Sequence, residues 1–369
     1  MVNVDVDLND DVVVETIRNF VRTNPDIEVY RYIRRGLNGD VYFGRRIKMG
    51  DEVVLKFYWS HPKYDEAEEA VILRQIDHEN ILKIFDLRFV PKNFAYFLSP
   101  RISGGDLQGI IDAQKISSKQ ALDIVAGILS GLTELHSKHR LVHRDLKPGN
   151  ILYDLETGKP IIADLGAVKA VHDAHDYVTA SKSDLYYLPP ESFKANRFYY
   201  QSDIYQVGII AYQLLGGNYP INDPNKWLTE KQIQKLESIR NHSDRHKLFE
   251  TYIGKRILNG TILDTNTLPI YLDNVFKRLI SKAVHKDPDQ RYQQPYTFLK
   301  AVHGLLRSQP DFLQEPDRLI ITHDDGKKHQ IYQDLRGHLV VEKCLVGKPW
   351  RRVNGHDGDI KKALGIVKQ

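Results

Sequence analysis

His143-Arg144-Asp145-Leu146-Lys147-Pro148-Gly149-Asn150 packs an acid, two strong bases and an amide into eight residues, directly after a long apolar stretch. A loop of that polarity beside a buried helix is hard to explain by packing alone, because buried polar groups need partners. Asp145 could accept a proton from an attacking hydroxyl, Lys147 could neutralise charge on a transferring phosphoryl group, and Asn150 could offer its carbonyl oxygen to Mg²⁺. About a dozen residues on, Ile161-Ile162 leads into Asp164-Leu165-Gly166, a strand-end carboxylate followed by a flexible glycine. Carboxylate and amide oxygens together are what a hard cation binds.

Upstream lie three signals that are weak when taken singly. Arg35-Gly36-Leu37-Asn38-Gly39-Asp40-Val41 falls between two predicted strands, where glycines let a backbone approach phosphate oxygens; the same pattern also serves as an ordinary hairpin turn. Lys56 ends the apolar run Val53-Val54-Leu55, as a solvated edge charge or as a cation presented inward. Glu69 shares a predicted helix face with Ile72, Leu73 and Ile76, so it can point inward and seek Lys56 as partner. Alternatively Glu66, Glu68 and Glu69 are a solvated acidic cluster favoured by the helix dipole.

Working outward, the spacing predicts a short helix over Asp10–Arg22, then strands over Ile27–Arg34, Val41–Ile47 and Glu52–Trp59, separated by Gly, Asn and Asp turn formers. A helix is expected over Asp65–Ile76, followed by strands Leu82–Val90 and Phe94–Pro100. Beyond Gly104-Gly105 the chain turns helical, with Leu122, Val125, Ile128, Leu132 and Leu135 on one buried stripe. Residues 309–318, with Pro310 and Pro316, read as a linker. After it, Leu319–Thr322, His329–Leu335 and Leu339–Val346 suggest a three-stranded meander with Asp325-Gly326 as a hairpin turn, and Asp359–Val367 a closing helix.

The chain has 369 residues, 41% hydrophobic and 27% charged, which suits a folded chain and excludes wholesale disorder. Lys and Arg number 52 against 48 Asp and Glu, a net +4 that points to neither nucleic acid nor an anionic membrane as partner. One cysteine, Cys344, cannot close an internal disulfide and agrees with a reducing compartment. No run reaches the roughly 18 to 20 apolar residues that span a bilayer, and Met1–Asp11 is acidic where a signal peptide is basic, so a cytoplasmic location is expected.

In order and spacing these motifs resemble the catalytic domain of the eukaryotic-like (Hanks-type) serine/threonine protein kinase family, over residues of about 30 to 308. The resemblance implies an α+β, two-lobed protein-kinase fold: a β-rich N-lobe with one main helix (27–100) and a mostly helical C-lobe (103–308). An N-terminal extension (1–26), the linker and a small β-rich C-terminal appendage (319–369) complete it. It implies ATP and Mg²⁺ as cofactors and a protein substrate. Gly36 and Gly39 become the lid over ATP; Val41, Val54 and Leu152 enclose adenine; Pro100, Ile102 and Asp106 complete the nucleotide site; Lys56 holds the α- and β-phosphates and Glu69 orients it. Asp145 becomes the catalytic base, Lys147 the γ-phosphate contact, and Asn150 and Asp164 the Mg²⁺ ligands. Leu73, Ile84, His143 and Leu165 resemble the stack that couples the lobes. Asp203 is the buried acid beneath the catalytic loop, and Arg291 pairs with Glu191.

Some positions depart from the family pattern. Arg34 stands at the first lid glycine, and small Ser99 gates the back of the pocket. Asp184 stands where many relatives have a threonine that bridges Asp145 and Lys147, so it would compete for Lys147, unless Ser183 serves instead. Arg34 and Asp184 leave open an alternative, a nucleotide-binding pseudokinase or signalling scaffold. Arg144 beside Asp145 marks a kinase switched by phosphorylation of the activation loop, with Thr179 and Ser181 as sites, unless they are ordinary polar loop residues. Residues 222–274 form a polar insertion, and residues 323–369 carry ten Lys and Arg against six Asp and Glu; either could meet a partner, an anionic one at the tail.

Overall fold

The computed structural model describes residues 15–34, 40–59, 73–90, 94–113, 115–172, 175–180 and 184–368. Gly36, Gly39, Glu69, Ser181 and Ser183 lie outside them. Five strands, β1 (Ile27–Arg34), β2 (Asp40–Arg46), β3 (Glu52–Trp59), β4 (Asp86–Val90) and β5 (Phe94–Pro100), form one antiparallel sheet in the order β1-β2-β3-β5-β4. Alternation along β3 divides its residues between two faces. Val53, Leu55 and Phe57 bury with Tyr42 and Tyr96, while Val54 and Lys56 point to the other side. Helix α1 (Glu15–Thr23), the described part of the helix expected over Asp10–Arg22, closes the apolar face with Ile17 and Val21, and Phe20 packs against Phe57 and Tyr96. The face bearing Lys56 is thereby left for the cleft. Strand β4 starts at Asp86 rather than Leu82, because the Leu82 amide donates to the Ile162 carbonyl at 2.8 Å.

The helical half is built on α2 (Leu107–Ala113) and α3 (Ser118–His139). Ser117 caps α3 through a reciprocal pair with Gln120, and Arg140 ends it in the left-handed region (φ 55°). Two glycines of α3 permit close packing. A Cβ at Gly127 would stand 2.5 Å from Pro160, and one at Gly131 would stand 2.8 Å from the Asn80 carbonyl. Short strands β6 (Leu141–Val142), β7 (Ile151–Asp154), β8 (Lys159–Ile162) and β9 (Lys169–Ala170) pair as β6-β9 and β7-β8 and frame the polar loop. Strands β10 (Val178–Thr179) and β11 (Arg197–Phe198) flank α4 (Pro190–Ala195) and pair with each other. Helix α5 (Tyr200–Leu214) is buried from Ser202 onward.

The polar insertion folds into α6 (Glu230–Glu237) and α7 (His242–Asn259), with α8 (Asn274–Ala283) and α9 (Pro295–Ser308) after it. The insertion is anchored rather than wholly solvated. Trp227 donates to the Ile262 carbonyl at 3.0 Å and stacks on Tyr186, and Ile253 and Ile257 are buried.

The C-terminal sheet has five strands where three were expected: β12 (Asp311–Gln314), β13 (Arg318–Thr322), β14 (Lys328–Gln333), β15 (Leu339–Cys344) and β16 (Arg351–Arg352), antiparallel in that order. Strand β12 occupies the segment read as a linker. Its place is fixed by the helical half: Phe312 N donates to Ser118 Oγ at 2.9 Å, and Lys119 N donates to Asp311 Oδ1 at 2.8 Å. Phe312 is fully buried and stacks on Tyr271, a burial that contributes about 1.5–3 kcal/mol. Closing helix α10 (Ile360–Val367) is capped by Asp359 and tied by Lys368 to Asp273 at 3.3 Å.

Candidate active site

Asp203 organises the polar loop from below. Lying in the first turn of α5 and fully buried, it accepts the amides of His143 at 2.8 Å and Arg144 at 2.9 Å, and His136 Nε2 sits 2.8 Å from its Oδ2. Three such groups around one carboxylate satisfy a charge that would be prohibitive alone. The chain can bend there because Arg144 adopts φ 70°. One turn further along α5, Gln206 accepts from Leu146 N at 2.9 Å and donates to the Tyr187 carbonyl. His143 is held at both ring nitrogens, Nε2 against the Ala163 carbonyl at 3.0 Å and Nδ1 accepting from Asp145 N at 3.3 Å, which sets the proton on Nε2.

On this frame Asp145 is 9% exposed. Asn150 Nδ2 donates to its carbonyl at 2.7 Å and to its Oδ2 at 2.8 Å, and Lys147 Nζ stands 3.3 Å from the same oxygen. Oδ1 has no hydrogen-bond partner among the described residues. Burial pushes the Asp145 carboxyl above its ordinary range, Lys147, His143 and Asn150 opposing and Asp164 adding to the rise. Asp184 caps the turn at residues 185–187 by accepting from Tyr186 N at 3.2 Å.

Asp164 enters from the end of β8 with φ 56° and makes an ion pair with Lys56 of β3. The sheet and the helical half therefore meet at this pair. Val41 and Ser99 stand beside Lys56 and Val54 as cross-strand partners, so they share the face that looks into the cleft. Pro100, Ile102, Asp106 and Leu152 are all half-buried; the first three lie where the chain passes from β5 into the helical half, and Asp106 pairs with Leu152 of β7 through a backbone bridge. Leu73, Ile84 and Leu165 share one core cluster, and His143 is fully buried. Thr179 is exposed; its carbonyl accepts from Arg144 Nη1 at 2.9 Å, and Arg197 stands opposite it in β11.

Two contributors went unread in the sequence, His136 and Gln206. The only trace of each was a polar residue on the inner face of an otherwise apolar helix.

A family model for the protein kinase domain matches residues 27–302. The chain belongs to the protein kinase domain family. It is 28% identical over 258 residues to the serine/threonine-protein kinase TIO of Arabidopsis thaliana, covering 68% of this chain and 19% of that protein. It is 27% identical over 278 residues to the serine/threonine-protein kinase PrkC of Bacillus subtilis (72% and 38%), and 30% identical over 203 residues to the probable serine/threonine-protein kinase PknB of Lactococcus lactis (53% and 32%). The matches thus span between about a fifth and two fifths of these relatives.

Proposed function

We propose that the chain transfers the γ-phosphoryl group of ATP to serine or threonine hydroxyls of a protein substrate. The observation that carries this reading is the ion pair of Lys56 with Asp164, which brings a sheet lysine and a carboxylate of the helical half together beside Asp145. Asp145 accepts the proton of the attacking hydroxyl; its Oδ1, without a partner among the described residues, suits that contact. Lys147 balances charge on the transferred group. Lys56, oriented by Glu69, holds the α- and β-phosphates under a lid of Gly36 and Gly39, while Val41, Val54 and Leu152 enclose adenine and Pro100, Ile102 and Asp106 complete its site. Asn150 and Asp164 fit a magnesium ion: the Asn150 amide nitrogen is committed to Asp145, so its carbonyl oxygen is the remaining donor, beside a carboxylate. When bound, Mg²⁺ neutralises phosphate charge. Relatives named as serine/threonine kinases support the choice of hydroxyl.

The kinase unit runs over 27–308 after an extension at 1–26, with the C-terminal sheet beginning at Asp311. A single cysteine suits a cytoplasmic setting. Phosphorylation at Thr179 or Ser181 activates the enzyme; Arg144 donates to the Thr179 carbonyl and Arg197 stands opposite Thr179 in β11, two cations that a phosphate there could meet. Phosphopeptide mapping after incubation with ATP tests this; both sites unmodified would end the idea.

The main test is radiolabelled ATP with generic protein substrates, wild type against Asp145→Ala. Loss of a general base slows transfer by roughly 10² to 10⁴. Label should appear on phosphoserine and phosphothreonine. Equal labelling by both proteins, or label confined to tyrosine, would overturn the assignment.

A further inference from the structure

Residues 343–352, Lys-Cys-Leu-Val-Gly-Lys-Pro-Trp-Arg-Arg, join β15 to β16 and contain four cations and no acid. All but Cys344 are exposed, and three of them are large and apolar: Leu345 at 52%, Val346 at 76% and Trp350 at 40%. Lys343, Lys348, Arg351 and Arg352 make no ion pair among the described residues. The turn is nonetheless fixed. Lys348 N donates to the Leu345 carbonyl at 2.9 Å, Cys344 Sγ donates to the Lys348 carbonyl at 2.9 Å, and Gly347 takes φ 70°, which only glycine adopts freely.

Register sorts these residues by height along the hairpin. Lys343 pairs with Arg351, and Glu342 with Arg352, at the base, whereas Leu345 and Val346 lie at the apex with Lys348 and Trp350 between. The neighbouring acids are already engaged: Glu342 accepts from Gln330, Asp324 pairs with Lys119, and Asp325 holds the Lys327 amide in its own turn. An apolar apex above a cationic collar therefore stands in a fixed conformation on the edge of the sheet.

We propose that this hairpin docks the protein on anionic bilayers. Leu345 and Val346 enter the acyl boundary, Trp350 settles at the headgroup level, and Lys343, Lys348, Arg351 and Arg352 meet lipid phosphates. Exposed aliphatic side chains gain free energy only by leaving water, at about 25 cal/mol per Å², and a bilayer accepts them at that depth. Single-stranded nucleic acid would call for stacking platforms, and the hairpin offers one aromatic ring against two aliphatic side chains. The proposal goes beyond phosphoryl transfer and does not depend on it.

The test is co-sedimentation of the full chain with phosphatidylcholine vesicles made with and without phosphatidylserine. Binding is expected to the anionic vesicles only, to weaken with salt, and to shift tryptophan emission to the blue in wild type but not in Trp350→Phe. Lys343→Ala with Arg351→Ala should lower partitioning about fivefold per cation, and Leu345→Ser with Val346→Ser should abolish it. Circular dichroism spectra and urea midpoints unchanged from wild type report that these variants are folded. Equal binding to both vesicle types, no binding to either, or variants that bind like wild type would overturn the proposal. So would capture by polyglutamate or single-stranded DNA without any capture by vesicles.

Discussion

Arg291 grips Glu191 through two parallel hydrogen bonds, Nη1 to Oε1 and Nη2 to Oε2, both at 2.8 Å and both out of water. The same guanidinium lies 4.8 Å from the Tyr205 ring and donates to the Gln201 and His285 carbonyls, so α4, α5 and the chain before α9 converge on one side chain. Replacing it with leucine strands a buried carboxylate, for a loss of about 3–5 kcal/mol. Arg291→Leu with Glu191→Leu should recover most of that. Urea denaturation of the three proteins measures it, and a single-variant loss below about 1 kcal/mol would mean the pair is not held as the geometry says.

Asp145→Asn preserves shape while removing the base. The expected outcome is a fall in kcat of roughly 10² to 10⁴, with ATP affinity changed by no more than about threefold. Steady-state kinetics and titration with a fluorescent nucleotide separate the two quantities. A variant that loses nucleotide binding and rate together would assign Asp145 to binding.

The pH profile should carry the mark of Asp145. A base works deprotonated, so kcat/KM falls as pH drops through its pKa, and burial places that acid limb above the ordinary carboxylate range. Lys147 pulls the pKa the other way. Lys147→Met should therefore lower the maximum rate and move the acid limb to still higher pH. An unmoved limb would mean that another group titrates.

In the C-terminal sheet, His329 is 4% exposed and touches His323 at 3.0 Å between ring nitrogens. Burial first, then His323, Lys327 and Lys343, push its pKa down to about 4. An unfolded imidazole titrates near 6.5. Between those values the unfolded chain binds a proton that the folded chain does not, so stability should fall as pH is lowered from about 6.5 towards 4. Urea midpoints at pH 7 and pH 5 should show a smaller drop for His329→Gln than for wild type; matching drops would remove His329 from the account.

Sequence reading succeeded where one residue's chemistry implies its partner. Asp203 under the polar loop and Arg291 with Glu191 were legible through the resemblance to the kinase family, and the contacts follow because a buried charge has few ways to be satisfied. Lys56 was legible as the end of an apolar strand run, and Val41 and Val54 through the resemblance; strand alternation accounts for Val54 and Lys56 sharing one face. Strand β12 was not, because Asp-Phe-Leu-Gln between two prolines has too short a pattern, and its pairing is set by Ser118 and Lys119 almost two hundred residues earlier. Competition of Asp184 for Lys147 was expected from its place in the family pattern; a nearby amide, Tyr186 N, engages that carboxylate. The insertion read as polar because its few anchors, Trp227, Ile253 and Ile257, are diluted among exposed residues.

Because Phe312, Ile321, Ile331, Val341 and Leu364 bury in the same cluster as Leu272 and Phe298, the last sixty residues and the helical half have no boundary at which either could melt alone. Denaturation of that region should be one cooperative event, and shortening the chain at Pro310 would leave α3 and α9 with a bare apolar flank. The C-terminal sheet therefore behaves as part of the helical half's own core and not as a detachable module.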